Sequence, residues 1–186
     1  MGIGKLKSHI MKVTTIILQI LIMTAVSLAV QAQATQNEKL HIIVIGAHPD
    51  DPDKVGGTAH KWALLGHDVL LVSLTSGDAG HQTLKPAKLA KIRREEARRA
   101  GEAIGVRYIT LNNHDGKLMP TYKSRLEVIR LIREHKADVV IFPRPYDYHP
   151  DHRYTGTLVL DAAYMVTVPR ILPKVPHLEK NPVFLY

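Results

Sequence analysis

The run Leu40-His41-Ile42-Ile43-Val44-Ile45-Gly46 constrains the fold more than any other stretch. Its apolar residues are continuous rather than alternating, the pattern of a strand covered on both faces, and such strands belong to parallel sheets flanked by helices. The run ends in Ala47-His48-Pro49-Asp50-Asp51, so an imidazole and two carboxylates emerge at a C-terminal strand end. That is the edge at which open α/β sheets build their sites. A second apolar run, Val139-Val140-Ile141-Phe142, empties into Tyr146-Asp147-Tyr148-His149-Pro150-Asp151-His152 and repeats the combination.

Between these runs, strand and helix patterns alternate. Asp51-Pro52 has the form of a helix start, with aspartate as N-cap and proline at the first helical position. Gly66 suits the stop of that helix, and a strand follows at Asp68 to Leu74. Its exit, Thr75-Ser76-Gly77-Asp78-Ala79-Gly80, is a polar loop on the same rim as His48. From Lys85 to Ile104 the 3.6-residue period is clear: Leu89, Ile92, Ala97, Ala100, Ala103 and Ile104 share an arc, with Arg94, Glu95, Arg98 and Glu102 opposite. Arg93 and Glu96 fall inside the apolar arc, as a structural ion pair or as a guanidinium held to grip substrate oxygens. Tyr108 to Leu111 reads as a third strand ending in Asn112-Asn113-His114-Asp115-Gly116, Tyr122 to His135 as a helix, and Tyr154 to Val166 as a helix after the His149–His152 loop. This order predicts a Rossmann-like α/β three-layer sandwich with a mainly parallel sheet and its site at the C-terminal strand ends. Asn181 to Tyr186 reads as the start of a further strand, and the chain is expected to be C-terminally incomplete.

The first 34 residues read as a signal peptide: Lys5, Lys7 and Lys12 flank an apolar stretch to Val30, and small residues follow at Ala32 and Ala34. The catalytic domain is then residues 35–186, the expected location is periplasmic or extracellular, and membrane contact is expected only through an uncleaved signal segment. Of the formal charge of +8, three lysines and no acids lie in that segment, leaving +5. With no basic patch interleaved with aromatics, nucleic acid is not an expected partner. The chain has no cysteine, so any metal must be held by nitrogen and oxygen.

A hydrolytic zinc site needs three protein ligands and an open position. His48, Asp51 and His152 offer two imidazoles and a carboxylate, a set that suits Zn²⁺ or another divalent ion, and Asp50 is left as the base for a metal-activated water. Each residue has a plainer role open to it, as cap, first-turn charge or loop imidazole; it is their joint placement at two strand ends that favours a site. His60, His67, His81, His114, His135 and His177 have no comparable setting and are read as structural.

The AHPDD motif at 47–51, Thr75 to Gly80, Arg93-Arg94-Glu95-Glu96 before Ile104-Gly105-Val106, and His149-Pro150-Asp151-His152 together resemble the zinc-dependent N-acetylglucosaminyl de-N-acetylases, the PIG-L or LmbE-like family. The resemblance runs from about Leu40 to the C-terminus. It implies His48, Asp51 and His152 as metal ligands and Asp50 as general base for a zinc-bound water. It also implies His149, oriented by Asp151, as the group that polarises the amide or protonates the amine, and Arg93 and Asp115 as substrate contacts. The substrate class it implies is an N-acetylglucosamine-type sugar or oligosaccharide. Pro52 stands where the family often has an acidic residue, and Asp53 follows it.

Two other readings stay open: a metal amidase acting on another acylated small molecule, and an inactive or truncated carbohydrate-binding paralogue, against which the retained Asp50 argues. A dinucleotide-binding protein is excluded by the absence of a glycine-rich turn after the first strand.

Overall fold

The structure is a computed structural model that describes residues 2–34 and 39–186. The expected start of the catalytic domain at residue 35 lies outside the described residues. The chain divides into two units, residues 1–38 and 39–186. The first is one long helix, α1 (Ile3–Ala34), in which Thr15 and Thr24 donate their hydroxyls to carbonyls one turn back, Met11 and Ile20. Among the described residues, no helix is long and apolar enough to cross a membrane.

The second unit is built on five parallel strands, β1 (His41–Gly46), β2 (Asp68–Thr75), β3 (Arg107–Asn113), β4 (Val139–Ile141) and β5 (Val183–Leu185). Their order is β3-β2-β1-β4-β5. The chain builds outward from β1 through β2 to β3, then returns to lay β4 on the other side of β1. The direction of winding therefore reverses between β1 and β4, and it is there that α/β sheets open a crevice.

Helices α2 (Gly56–Leu64), α3 (Pro86–Ala103), α4 (Tyr122–Glu134) and α5 (Pro150–Met165) cover the sheet. The two-residue strand period sorts the core into two layers. Ile43 and Ile45 pack with Val128, Ile129 and Ile132 of α4 and Leu158, Val159 and Ala162 of α5. Ile42 and Val44 pack with Ala59 of α2 and Ala97 of α3. Each fully buried aliphatic side chain is worth about 1.5–3 kcal/mol, against about 0.2–1 kcal/mol for an exposed ion pair. The core, rather than the Arg98 pairs with Glu95 and Glu102 on the outer face of α3, therefore holds the layers together.

Three local expectations change. Asp51 makes no side-chain cap: Pro52–Val55 is a separate 3₁₀ turn, and α2 begins only at Gly56. The segment His149–His152 is not a loop but the start of α5, with His149 as N-cap accepting from the Asp151 amide through Nδ1, and Pro150 in the first turn. On α3, Leu89 and Ala97 are buried as expected, but Ile92 is exposed where the helix lines a cleft.

Candidate active site

The switch point delivers the two histidine-bearing segments to one place. After β1 the chain folds back sharply over its own end. A Cβ at Gly46 would lie 2.6 Å from the Cβ of Asp51 and 2.6 Å from Cδ of Pro52, so only glycine permits the fold-back. The Asp51 carboxylate is thereby turned inward, its Oδ2 accepting the backbone amides of Ala47 at 3.1 Å and His48 at 2.8 Å. On the other side of the crevice, α5 approaches the Pro143–Pro145 segment closely through Gly156, where a Cβ would meet the Pro143 carbonyl oxygen at 2.6 Å.

Three side-chain atoms converge. His48 Nδ1 lies 3.2 Å from His152 Nε2 and 3.3 Å from Asp51 Oδ2, and His152 Nε2 lies 3.3 Å from Asp51 Oδ2. These edges form a nearly equilateral triangle. Tetrahedral zinc with bonds of about 2.0 Å has ligand–ligand separations of about 3.3 Å, so the donor set and its spacing both fit a divalent ion.

Carboxylates stand behind both histidines, hydrogen-bonded to His152 and within ion-pair distance of His48 without a hydrogen bond. His152 Nδ1 pairs with Asp147 Oδ1 at 3.0 Å, and His48 Nε2 lies 3.1 Å from Asp115 Oδ1 and 3.3 Å from Asp151 Oδ2. This is the arrangement that fixes ring orientation and strengthens an imidazole ligand. Burial works against protonation of His48, but hydrogen bonding to Asp51 and the charges of Asp115, Asp51 and Asp151 outweigh it and raise its pKa. For Asp51, burial would raise the pKa; the His48 ring and amide and the Lys54 ammonium, 3.0 Å from Oδ1, hold it well below the ordinary range. The site therefore presents an ionised carboxylate at neutral pH.

A cleft of about 620 Å³ opens over this triangle, with Asp50, Arg93, Asp115, Tyr148 and His149 among its walls. That volume is in the range of small-molecule sites. Asp50 points into it with its side chain 65% exposed, and Arg93 Nη2 stands 3.5 Å from its carboxylate. Arg93 also pairs with Glu96 at 3.1 Å, as the ion-pair reading expects, but the pair is not buried in the apolar arc: the Glu96 side chain is 57% exposed and both residues line the cleft. The His149 ring stands edge-on to His48, with centroids 4.6 Å apart.

All eight site residues expected from sequence are thus brought to one cleft or its floor, with one correction of contact. Asp151 holds His149 through its backbone amide, while its fully buried carboxylate turns to the Gly116 amide at 2.7 Å and toward His48. Asp147 was not singled out, although its place five residues before His152, in the same polar strand exit, was a usable signal. Two histidines read as structural also lie at this rim: His81 lines the cleft, and His114 pairs with Asp78 at 2.6 Å. Asp78 in turn accepts the Asp115 amide at 2.8 Å and so ties down the loop that carries Asp115.

Fold and site together define a doubly wound α/β protein with a two-histidine, one-carboxylate centre in its switch-point crevice. Residues 43–163 match the family model for GlcNAc-PI de-N-acetylase, and the chain belongs to this PIG-L family. It is 34% identical over 140 residues to diacetylchitobiose deacetylase of Thermococcus kodakarensis, covering 72% of this chain and 52% of that protein. A Bacillus anthracis protein described as a probable N-acetyl-alpha-D-glucosaminyl L-malate deacetylase is 28% identical, with 72% and 62% covered. Among solved structures, N,N'-diacetylchitobiose deacetylase from Pyrococcus horikoshii superposes with a TM-score of 0.73 at 29% identity, over 78% of this chain and 59% of that one. The chain thus spans between half and two thirds of the length of these relatives.

Proposed function

We propose that this protein is a zinc-dependent deacetylase that hydrolyses the acetamido group of an N-acetylglucosamine-type sugar or short oligosaccharide. The observation that carries the reading is the His48–Asp51–His152 triangle, with edges of 3.2–3.3 Å, lying beside Asp50 in the cleft. His48 Nδ1, His152 Nε2 and Asp51 Oδ2 would hold the metal, which supplies a nucleophilic hydroxide near neutral pH and a Lewis acid for the carbonyl.

The chain's own residues do the rest. Asp50 accepts the proton of the attacking water, and the Arg93 guanidinium stands 3.5 Å from its carboxylate. His149, its Nδ1 accepting from the Asp151 amide, carries its proton on Nε2 and presents it to the amide oxygen as a hydrogen-bond donor, while the proton taken up by Asp50 passes to the departing nitrogen. Asp115 and Arg93 line the cleft where hydroxyls of the sugar would lie. One water is consumed, the C–N bond breaks, and acetate and a free amine leave. The diacetylchitobiose and GlcNAc-malate deacetylases among its relatives support the amino-sugar class. The basic and apolar pattern of residues 5–30 supports export with residues 1–34 as a signal peptide, to be checked by N-terminal sequencing of the secreted chain.

The test is metal content together with acetate release from N-acetylglucosamine oligosaccharides. Wild type is expected to carry about one zinc at this site and to turn over; Asp50→Ala keeps the metal and loses orders of magnitude in rate; His152→Ala loses both. A folded wild type that takes up no metal here refutes the assignment.

A further inference from the structure

The opposite, N-terminal edge of the sheet carries a second convergence of metal-ligating side chains. His41 opens β1 and Asp68 opens β2, and the two are register partners, so both side chains lie on the face that α4 covers. His135 caps the C-terminal end of α4 directly over them, with its ring 5.6 Å from that of His41. One donor atom from each of His41, Asp68 and His135 lies within 4.8 Å of the others. The His41 Nδ1–Asp68 Oδ2 separation of 3.3 Å again matches the edge of a tetrahedral ligand set with bonds of about 2.0 Å.

The hydrogen bonds define which nitrogen of His135 is available. Its Nε2 lies 3.0 Å from the Ile42 carbonyl oxygen, which can only accept, so Nε2 carries the proton. Its Nδ1 lies 3.2 Å from Arg107 Nη2, which can only donate, so Nδ1 presents a lone pair. A neutral imidazole whose tautomer is fixed by a backbone carbonyl is the form in which histidine binds metals. His41 Nδ1, by contrast, is buried and makes no hydrogen bond. A buried imidazole nitrogen 3.3 Å from a carboxylate oxygen but without a hydrogen bond, with a second imidazole's lone pair alongside, is a donor set for a cation.

A cation already sits at its edge. Arg107 Nη2 lies 3.3 Å from Asp68 Oδ1 as well as facing His135, and its side chain is 62% exposed. An exposed guanidinium on a flexible stem is held by less than about 1 kcal/mol and can swing into water. The C-terminal end of α4 also favours positive charge.

We propose that His41, Asp68 and His135 form a second divalent-metal site, remote from the catalytic crevice, in which Arg107 acts as a displaceable cation. Two imidazoles and one carboxylate suit zinc, and by donor type copper(II) or nickel(II) as well. Because its ligands come from β1, β2 and the end of α4, an ion there would clamp helix to sheet and stabilise the fold without touching the cleft.

Equilibrium dialysis of the full chain against zinc, with metal counted by atomic emission, tests this. His41→Ala is expected to bind one equivalent fewer than wild type while releasing acetate at an unchanged rate, and Asp68→Asn to behave likewise. Arg107→Ala is expected to bind the second zinc about fivefold more tightly, because its competing cation is gone. The comparison holds whether or not the catalytic centre is loaded, since it counts the difference between variants. Equal zinc stoichiometry in wild type, His41→Ala and Asp68→Asn, or an Arg107→Ala variant that binds no more tightly, overturns the proposal.

Discussion

Removing the Asp147 carboxylate is expected to weaken metal binding at a residue that touches no metal. Asp147 Oδ1 accepts from His152 Nδ1 at 3.0 Å and from the His149 amide at 3.1 Å, and Oδ2 faces Arg144 Nη2 at 3.4 Å. Burial would raise its pKa, but the His149 amide, His152 and Arg144 lower it, so the group is an anion at working pH. In Asp147→Ala the His152 ring loses the partner that sets its tautomer and aims Nε2 at Asp51 and His48. Losing such a contact lowers metal affinity about 10–100-fold, equivalent to about 1.4–2.7 kcal/mol. The start of α5 loses one amide hydrogen bond as well, worth about 1 kcal/mol of fold stability. Zinc affinity measured by competition with a chromophoric chelator reads the first effect; thermal unfolding in excess chelator reads the second alone. Asp147→Asn keeps an acceptor oxygen for His152 and is expected to recover most of the affinity. An alanine variant that binds zinc as tightly as wild type would refute the role, and an asparagine variant as weak as alanine would show that charge rather than orientation matters.

Two further outcomes concern stability. Arg133, 3% exposed, donates to the carbonyls of Met165, Val166, Val168, Ile171 and Val175 and so ties the end of α5 to the segment after it. Arg133→Met strands several of these acceptors and is expected to destabilise by about 3–5 kcal/mol, lowering Tm by about 6–20 °C; a loss below about 1 kcal/mol would contradict the account. Asp78 is nearly buried, which would raise its pKa, but the Asp115 amide and His114 lower it below 3.8. A lowered folded-state pKa adds stability that is present above pH 3.8 and is lost as pH falls through the folded value, so the stability–pH curve of Asp78→Asn should be flatter than that of wild type below about pH 4. Parallel curves would rule Asp78 out as a contributor.

The α/β class was readable because burial on both faces writes itself as continuous apolar runs at β1 and β2, and because the Leu89–Ile104 period is helical. Gly66 and Gly105, both with positive φ, close α2 and α3 where a residue without Cβ is required. Less visible was α5: Pro150 marks a first helical turn, yet a histidine N-cap is uncommon enough that His149–His152 reads as a loop. Asp51 misled in the other direction. Its sequence position is that of a cap, but its carboxylate is captured by the Ala47 and His48 amides once the chain folds back over Gly46.

By itself, the sequence determined the donor chemistry: two imidazoles, one carboxylate and no thiolate near two strand ends, with a second carboxylate at hand. Only the tertiary structure decided which donors meet. Strand order is set by packing between elements distant in the chain, and placing β4 beside β1 is what brings His152 to 3.2 Å from His48 and 3.3 Å from Asp51. The same rule holds at the other edge, where His41, Asp68 and His135, unremarkable in sequence, become neighbours because parallel pairing aligns the starts of β1 and β2 beneath the end of α4.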